Sequence, residues 1–301
     1  MGCDWNTEVL LDLLLSCGRI CLDGQASAPW TLKQDGSLVT AVDQAVERLL
    51  AERFDAPAAG SFMIGEETVS GRDEAYLQAA LSGTAWIVDP VDGTAPFAHG
   101  LSYWGTSIGL ARAGRIEHGA IILPSQGEVF MTVDSEVWWA SGVDVHGPAK
   151  QVSLQRLTPQ VLPLSRGGML ALGQRFVRTR TLSWPNPVVS TGCAINALAY
   201  LMLGRLMGCI GYMKLWDVAG ALPMLERTGI VARLADGTPL TTHLTNGAFV
   251  LAAGRPDRWS QSDQAAFGAP DVVAALVADV LGGQGGQRAG TLVQPGVASR
   301  K

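Results

Sequence analysis

The stretch WIVDPVDGTAPF, residues 86–97, with Ala85 just before it, places the apolar run Ala85 to Val88 directly ahead of two aspartates, Asp89 and Asp92. The run reads as a short buried strand ending at Asp89-Pro90, because a residue that precedes proline is kept out of the helical region. Asp89 and Asp92 then share an irregular turn on which two carboxylates can converge. Convergent anions repel, so the pair needs raised pKa values or cations, and hard oxygen donors of this kind suit Mg²⁺. Two more acidic positions follow strand-like runs: Glu66-Glu67 after FMIG, and Asp217 after Leu-Trp and ahead of a helix. Taken singly, Asp217 also reads as an ordinary helix N-cap and Asp92 as an Asp-Gly turn.

Composition limits what such a cluster serves. The chain has 301 residues, 48% hydrophobic and only 16% charged, which points to a soluble globular protein with much of its surface buried between layers. A net charge of −5 gives no basic footprint for a nucleic acid polymer. Cys3, Cys17, Cys21, Cys193 and Cys209 form an odd set without a CxxC pair, which favours neither a disulfide framework nor a zinc cage and fits a reducing cytoplasm. The N-terminus carries Asp4, Glu8 and Asp12 where a signal peptide would be positive, and reads as a core-facing helix. Its Met-Gly-Cys start has Asn6 where myristoylation prefers Ser or Thr. The longest apolar stretch, Ile195 to Met213, contains Asn196 and Arg205, so a membrane span is not expected.

Periodicity supplies the organisation. Val42, Ala45, Val46, Leu49, Leu50 and Phe54 recur at helical spacing behind a capping Thr40. From Tyr103 to Ala140 apolar strands are punctuated at Gly114, at Pro124 to Gly127 and at Asp134-Ser135, the pattern of an antiparallel meander. Beyond about residue 150, strand-like runs (MLAL, PVVS, GCIGY, AFVLAA) alternate with helix-like ones (Ala194 to Leu203, Val218 to Arg227, Pro270 to Leu281). The expected division is an N-terminal α+β domain over 1–150, a C-terminal α/β domain over 151–281, and a Gly-rich disordered tail over 282–301.

Four ordered stretches, LVTAVDQAVERLL, IGEE, WIVDPVDGTAPFAHGLSYWGTSIGL and LWDVAGALPMLERTG, together resemble the motifs of the inositol monophosphatase family across residues 33 to 254. The resemblance implies a five-layered αβαβα sandwich of α/β class and lithium-sensitive, Mg²⁺-dependent hydrolysis of phosphate monoesters, with two or three ions. It assigns Glu66, Asp89 and the Val91 carbonyl to one magnesium, and Asp89, Asp92 and Asp217 to a second. Thr94 and Glu66 would position the attacking water, Asp43 would hydrogen-bond the Thr94 hydroxyl, and the backbone N–H groups of Gly93 and Thr94 would hold the phosphate. Gly93 also lets backbone approach an ester closely, and a following helix would aim its N-terminus at the anion.

The substrate side departs from the family pattern. Ile210 stands where inositol-type members carry a glutamate that binds substrate hydroxyls, so weak selectivity among polyol phosphates is expected. Thr191, Gly192, Cys193 and Ala194 form the expected substrate-side loop, and Arg166, Arg175, Arg178 and Arg180 precede it as candidates to meet a second anionic group. Lys214 and Pro223 resemble residues of the histidinol-phosphatase branch. The expected function is hydrolysis of a polyol or sugar phosphate. The alternatives are a histidinol-phosphate or nucleotide 3′-phosphate phosphatase of the same family, and a catalytically weak member serving as a binding or assembly protein. The expected partner is a small phosphorylated substrate, with a homodimer allowed.

Overall fold

The computed structural model describes residues 4–26, 29–33 and 36–282. The Met-Gly-Cys start and the expected tail beyond Gly282 lie outside them. Two helices open the chain: α1 (Thr7–Gln25), capped by Asn6, and α2 (Ala41–Phe54). Between them β1 (Trp30–Leu32) and β2 (Leu38–Thr40) form an antiparallel ribbon. Thr40 caps α2 as its sequence predicts, and Asp43 answers by accepting from the Thr40 backbone N–H at 2.8 Å, a reciprocal capping box.

A seven-stranded sheet follows, from β3 (Ser61–Gly65), β4 (Thr84–Asp92), β5 (Gly105–Arg112), β6 (Arg115–Leu123), β7 (Glu128–Val133), β8 (Glu136–Ala140) and β9 (Gln155–Arg156), in that spatial order. α3 (Glu74–Ser82) connects β3 to β4, which run parallel, and every later pair is antiparallel. The meander expected between Tyr103 and Ala140 is therefore present, with its turns at the expected breaks. A second sheet has the order β11 (Val188–Val189), β10 (Leu170–Leu172), β12 (Gly208–Gly211), β14 (Ala265–Gly268) and β13 (Val231–Leu234).

The layers follow from which side chains share a core. Trp86 and Val88 of β4, with Ile108, Leu110, Ile122 and Met131, pack under α1 and α2. Their neighbours Ala85, Ile87, Ile121 and Phe130 face the opposite way, toward α6 (Ala194–Met202), α7 (Leu215–Ala219) and α8 (Leu222–Arg227). A third core lies between the second sheet and α5 (Gln174–Thr179) and α9 (Pro270–Ala275), the last continuing as a wider π-turn over Leu276–Leu281. The result is the five-layered αβαβα sandwich. The inner strands β4, β5, β10, β12 and β14 are buried on both faces, so they lack the alternation of apolar and polar positions that marks a one-sided strand, whereas β13 and β9 at the edges keep exposed positions.

Three elements differ from their sequence reading. The strand expected at Ala85 to Val88 extends from Thr84 to Asp92, because its register breaks between Asp89 and Asp92 and Pro90, which lacks an N–H, falls in the irregularity. The helix expected over Val218 to Arg227 is two helices that part at Gly220-Ala221, leaving Pro223 in the first turn of α8, where no helical N–H is missed. AFVLAA forms no strand; only Phe249 bridges, to Gln261, while Ala248 and Phe249 are spent on core packing.

Candidate active site

Because β3 and β4 are parallel, their carboxyl ends lie side by side, which brings Glu66 next to the Asp89–Asp92 segment. The Glu66 N–H donates to the Val88 carbonyl at 3.3 Å, fixing that adjacency. Asp217 arrives from the first turn of α7. That helix lies close on β5: a Cβ placed at Gly109 would come within 2.7 Å of the Ala219 Cβ, so only glycine allows the approach. Ser107 Oγ stitches the contact by donating to the Trp216 carbonyl at 3.1 Å and accepting from the Gly220 N–H at 3.2 Å. Glu66, Asp89, Val91, Asp92, Gly93, Thr94 and Asp217 thus line one cavity of about 480 Å³.

Each group has defined partners. Asp89 is almost wholly buried and its Oδ1 accepts from the Val91 N–H at 3.0 Å. Asp92 Oδ2 accepts from the Ile195 N–H at 2.6 Å and lies 3.3 Å from the Cys193 thiol, which is placed to donate to it. Asp217 Oδ2 accepts from the Lys214 N–H at 2.8 Å, so Asp217 sits inside the helix at its third position rather than as the N-cap. The Thr94 hydroxyl stands 3.0 Å from both Asp43 Oδ1 and the Val91 carbonyl, with a hydrogen for one of them. Gly93 has φ of 89°, and a Cβ there would meet the Tyr103 carbonyl at 2.7 Å, so backbone geometry and crowding both require glycine. The helix that follows, α4 (Thr94–Ala98), is a single short turn. His99, just beyond it, is exposed and bonds the Ala95 carbonyl.

The charges are mutually unfavourable. Burial, then the neighbouring Glu66, Asp92 and Asp217, push the Asp89 carboxyl well above the ordinary range. Burial, then Asp92 and Glu66, do the same to Asp217. Burial drives Asp92 up to about 7 despite the opposing Ile195 hydrogen bond. Burial also raises Asp43 against the hydrogen bonds from Thr40 and Thr94.

Two residues that the sequence reading passed over hold this arrangement. Glu47, buried one turn after Asp43 on α2, accepts from the Glu67 and Thr68 N–H groups at 2.8 Å each and so fixes the loop that carries Glu66. The Asp43/Glu47 spacing of four, on the face that also carries Val46 and Leu50, is the signal that would have found it. Lys33 bridges Glu66 at 2.8 Å and Glu67 at 2.6 Å.

On the substrate side, Thr191, Gly192, Cys193 and Ala194 line an adjoining cavity of about 220 Å³ that shares Asp92 and Asp217. Ile210 does not line it. Alternation along β12 sends Cys209 and Gly211 to the cavity and buries Ile210 on the other face, with Ala266 and Val272. Cys17, Cys21, Cys193 and Cys209 are all buried free thiols.

The donor set suits a hard divalent cation: four carboxylates and one carbonyl on a single cavity. Among the described residues no three acidic, histidine or cysteine side chains are arranged to grip an ion as they stand. Each of the four already has a partner: Lys33 for Glu66, and the backbone N–H groups of Val91, Ile195 and Lys214 for Asp89, Asp92 and Asp217. Among the described residues no helix is long and apolar enough to cross a membrane.

The inositol monophosphatase family model matches residues 16–268. The Nus factor SuhB of Pasteurella multocida is 28% identical over 240 residues, covering 75% of this chain and 81% of that protein. Human inositol monophosphatase 1 is 29% identical over 238 residues, covering 72% and 75%. The crystal structure of the extragenic suppressor protein suhB from Bartonella henselae superposes with a TM-score of 0.65 at 19% identity, over 90% of this chain and 96% of that one. This chain belongs to the inositol monophosphatase family of phosphoric monoester hydrolases.

Proposed function

We propose that the chain hydrolyses a small polyol- or sugar-type phosphate monoester with the help of Mg²⁺. The observation that carries this reading is the meeting of Glu66, Asp89, Asp92, Thr94 and Asp217 on one cavity, from three separate parts of the chain. Glu66, Asp89 and the Val91 carbonyl would hold one ion, and Asp89, Asp92 and Asp217 a second. When bound, the ions would supply charge neutralisation for the phosphate and acidify the attacking water.

The protein's own groups have the remaining tasks. The Thr94 hydroxyl, held against buried Asp43, would accept a hydrogen bond from the attacking water while its own hydrogen goes to Asp43. Glu66 would help to orient that water. The backbone N–H groups of Gly93 and Thr94 would bind phosphate oxygens, with Gly93 fixed in its left-handed conformation in advance. Asp43 needs no exchange with solvent: its capping hydrogen bonds with Thr40 keep it in place as charge develops.

The test is phosphate release from inositol, sugar, histidinol and nucleotide phosphates, with Mg²⁺ and with EDTA. Mg²⁺-dependent turnover of a polyol or sugar phosphate supports the reading. Absence of turnover on every ester would instead favour a binding or assembly protein, the second reading suggested by the similarity to a Nus factor.

A further inference from the structure

Helix α5 carries an arginine toward each lobe of the site. Arg178, whose Nη2 donates to Gln174 Oε1 at 3.0 Å, lines the acidic cavity, and Arg175 lines the adjoining one. The other two arginines ahead of the loop have no such place: Arg180 donates to the Val280 and Leu281 carbonyls, and exposed Arg166 lines neither cavity. The Arg175 guanidinium lies 3.9 Å from the centroid of the Tyr212 ring. Among the described residues, no carboxylate is paired with Arg175. A guanidinium stacked this way keeps its edge donors available, and their planar fork matches a carboxylate.

The remaining lining gives the Arg175 lobe its character. Asp92 and Asp217 are its acidic lining, Ala171 and Cys209 contribute apolar surface, and Arg175, against Tyr212, is its cationic member. A polyol would find no carboxylate there beyond the two acidic residues already assigned to metal, which among the described residues are the only acidic side chains of its lining.

We propose that the preferred phosphate monoester carries a carboxylate on its alcohol portion, and that Arg175, braced by Tyr212, is the residue that selects it. One exposed guanidinium balances one carboxylate charge, whereas a second phosphate would add further negative charge near Asp92 and Asp217. This inference rests on the phosphomonoesterase reading above.

The test compares two near-isosteric esters, 3-phosphoglycerate and glycerol 3-phosphate, which differ in carboxylate against hydroxymethyl. The full-length protein with Mg²⁺ should show kcat/KM about tenfold higher for 3-phosphoglycerate, the size of one charge-assisted contact in a partly open site. Arg175→Gln should bring the ratio close to one, and Arg175→Lys should leave an intermediate value. A loss of folded protein lowers both rates together, so the ratio reads selection alone. A wild-type ratio of one or below, or a ratio unchanged in Arg175→Gln, overturns the proposal. Should neither ester be hydrolysed, calorimetric Kd values for the same two compounds on wild type and Arg175→Gln decide the arginine's role by the same ratio, while the phosphatase reading stands or falls by the wider ester screen.

Discussion

Asp92 Oδ2 accepts a 2.6 Å hydrogen bond from the backbone N–H of Ile195, so the last residue of β4 caps the first turn of α6. Cys193, the residue at the N-cap position itself, supplies no side-chain cap. One carboxylate therefore serves two purposes: it faces the acidic cavity and it satisfies an otherwise orphaned helix donor.

Asp92→Asn keeps one carboxamide oxygen for Ile195 and removes a charge from a repelling cluster. Melting in EDTA should be unchanged or higher than wild type, while Mg²⁺-dependent turnover falls by about a hundredfold or more with loss of one anionic ligand. Asp92→Ala loses the cap as well and should be the less stable variant by about 1 kcal/mol. An Asn variant that melts below the Ala variant would contradict the capping role.

The same site sets a pH dependence. The Asp92 carboxyl is pushed up to about 7, chiefly by burial, and Asp89 and Asp217 move in the same direction. Unfolded aspartate titrates near about 3.9, so between that pH and about 7 the native protein holds a proton that the unfolded chain has released. The contribution is complete at low pH and is lost as pH rises through the folded value. In EDTA, the stability advantage of Asp92→Asn over wild type should widen across that window and then level off. A gap that narrows with rising pH would show that the sign is wrong.

Glu47 offers a test of positioning. Its carboxylate holds the Glu67 and Thr68 N–H groups. Glu47→Gln keeps one acceptor oxygen and should raise the Mg²⁺ concentration needed for half-maximal rate, because Glu66 is then less firmly placed. Glu47→Ala leaves both donors without their partner and should cost about 1–3 kcal/mol, less whatever is regained by removing a buried charge. A Gln variant with an unaltered Mg²⁺ requirement would exclude the positioning role.

Ile210→Glu separates the sequence reading from the structural one. A glutamate at a substrate-facing position would sharpen selection among polyol phosphates. Facing Ala266 and Val272 in a closed apolar core, it instead buries an unpaired charge and should destabilise by several kcal/mol, or about 3 or more. A well-folded Ile210→Glu protein with improved polyol selectivity would restore the position to the substrate side.

Much of the fold and most of the acidic site were legible because they are local. Thr40 precedes the helix it caps, and Asp89, Asp92, Gly93 and Thr94 fall within one short motif. What escaped depends on distant contacts. Which face of β12 carries Ile210 is invisible in a strand buried on both sides, since apolar residues occupy both sets of positions. The Asp92–Ile195 bond spans 103 residues and leaves no spacing signal. AFVLAA has strand composition, yet its apolar side chains fill a core from an irregular segment.

The most direct measurement is initial-rate phosphate release as a function of Mg²⁺ for wild type and Asp217→Asn, with melting curves on both. The expected result is saturable Mg²⁺-dependent release by wild type, loss of nearly all of it in the variant, and no loss of stability in EDTA. Equal turnover by the two proteins, or wild-type release indifferent to Mg²⁺, would contradict the assignment of the Glu66, Asp89, Asp92 and Asp217 cavity as a metal-dependent phosphatase site.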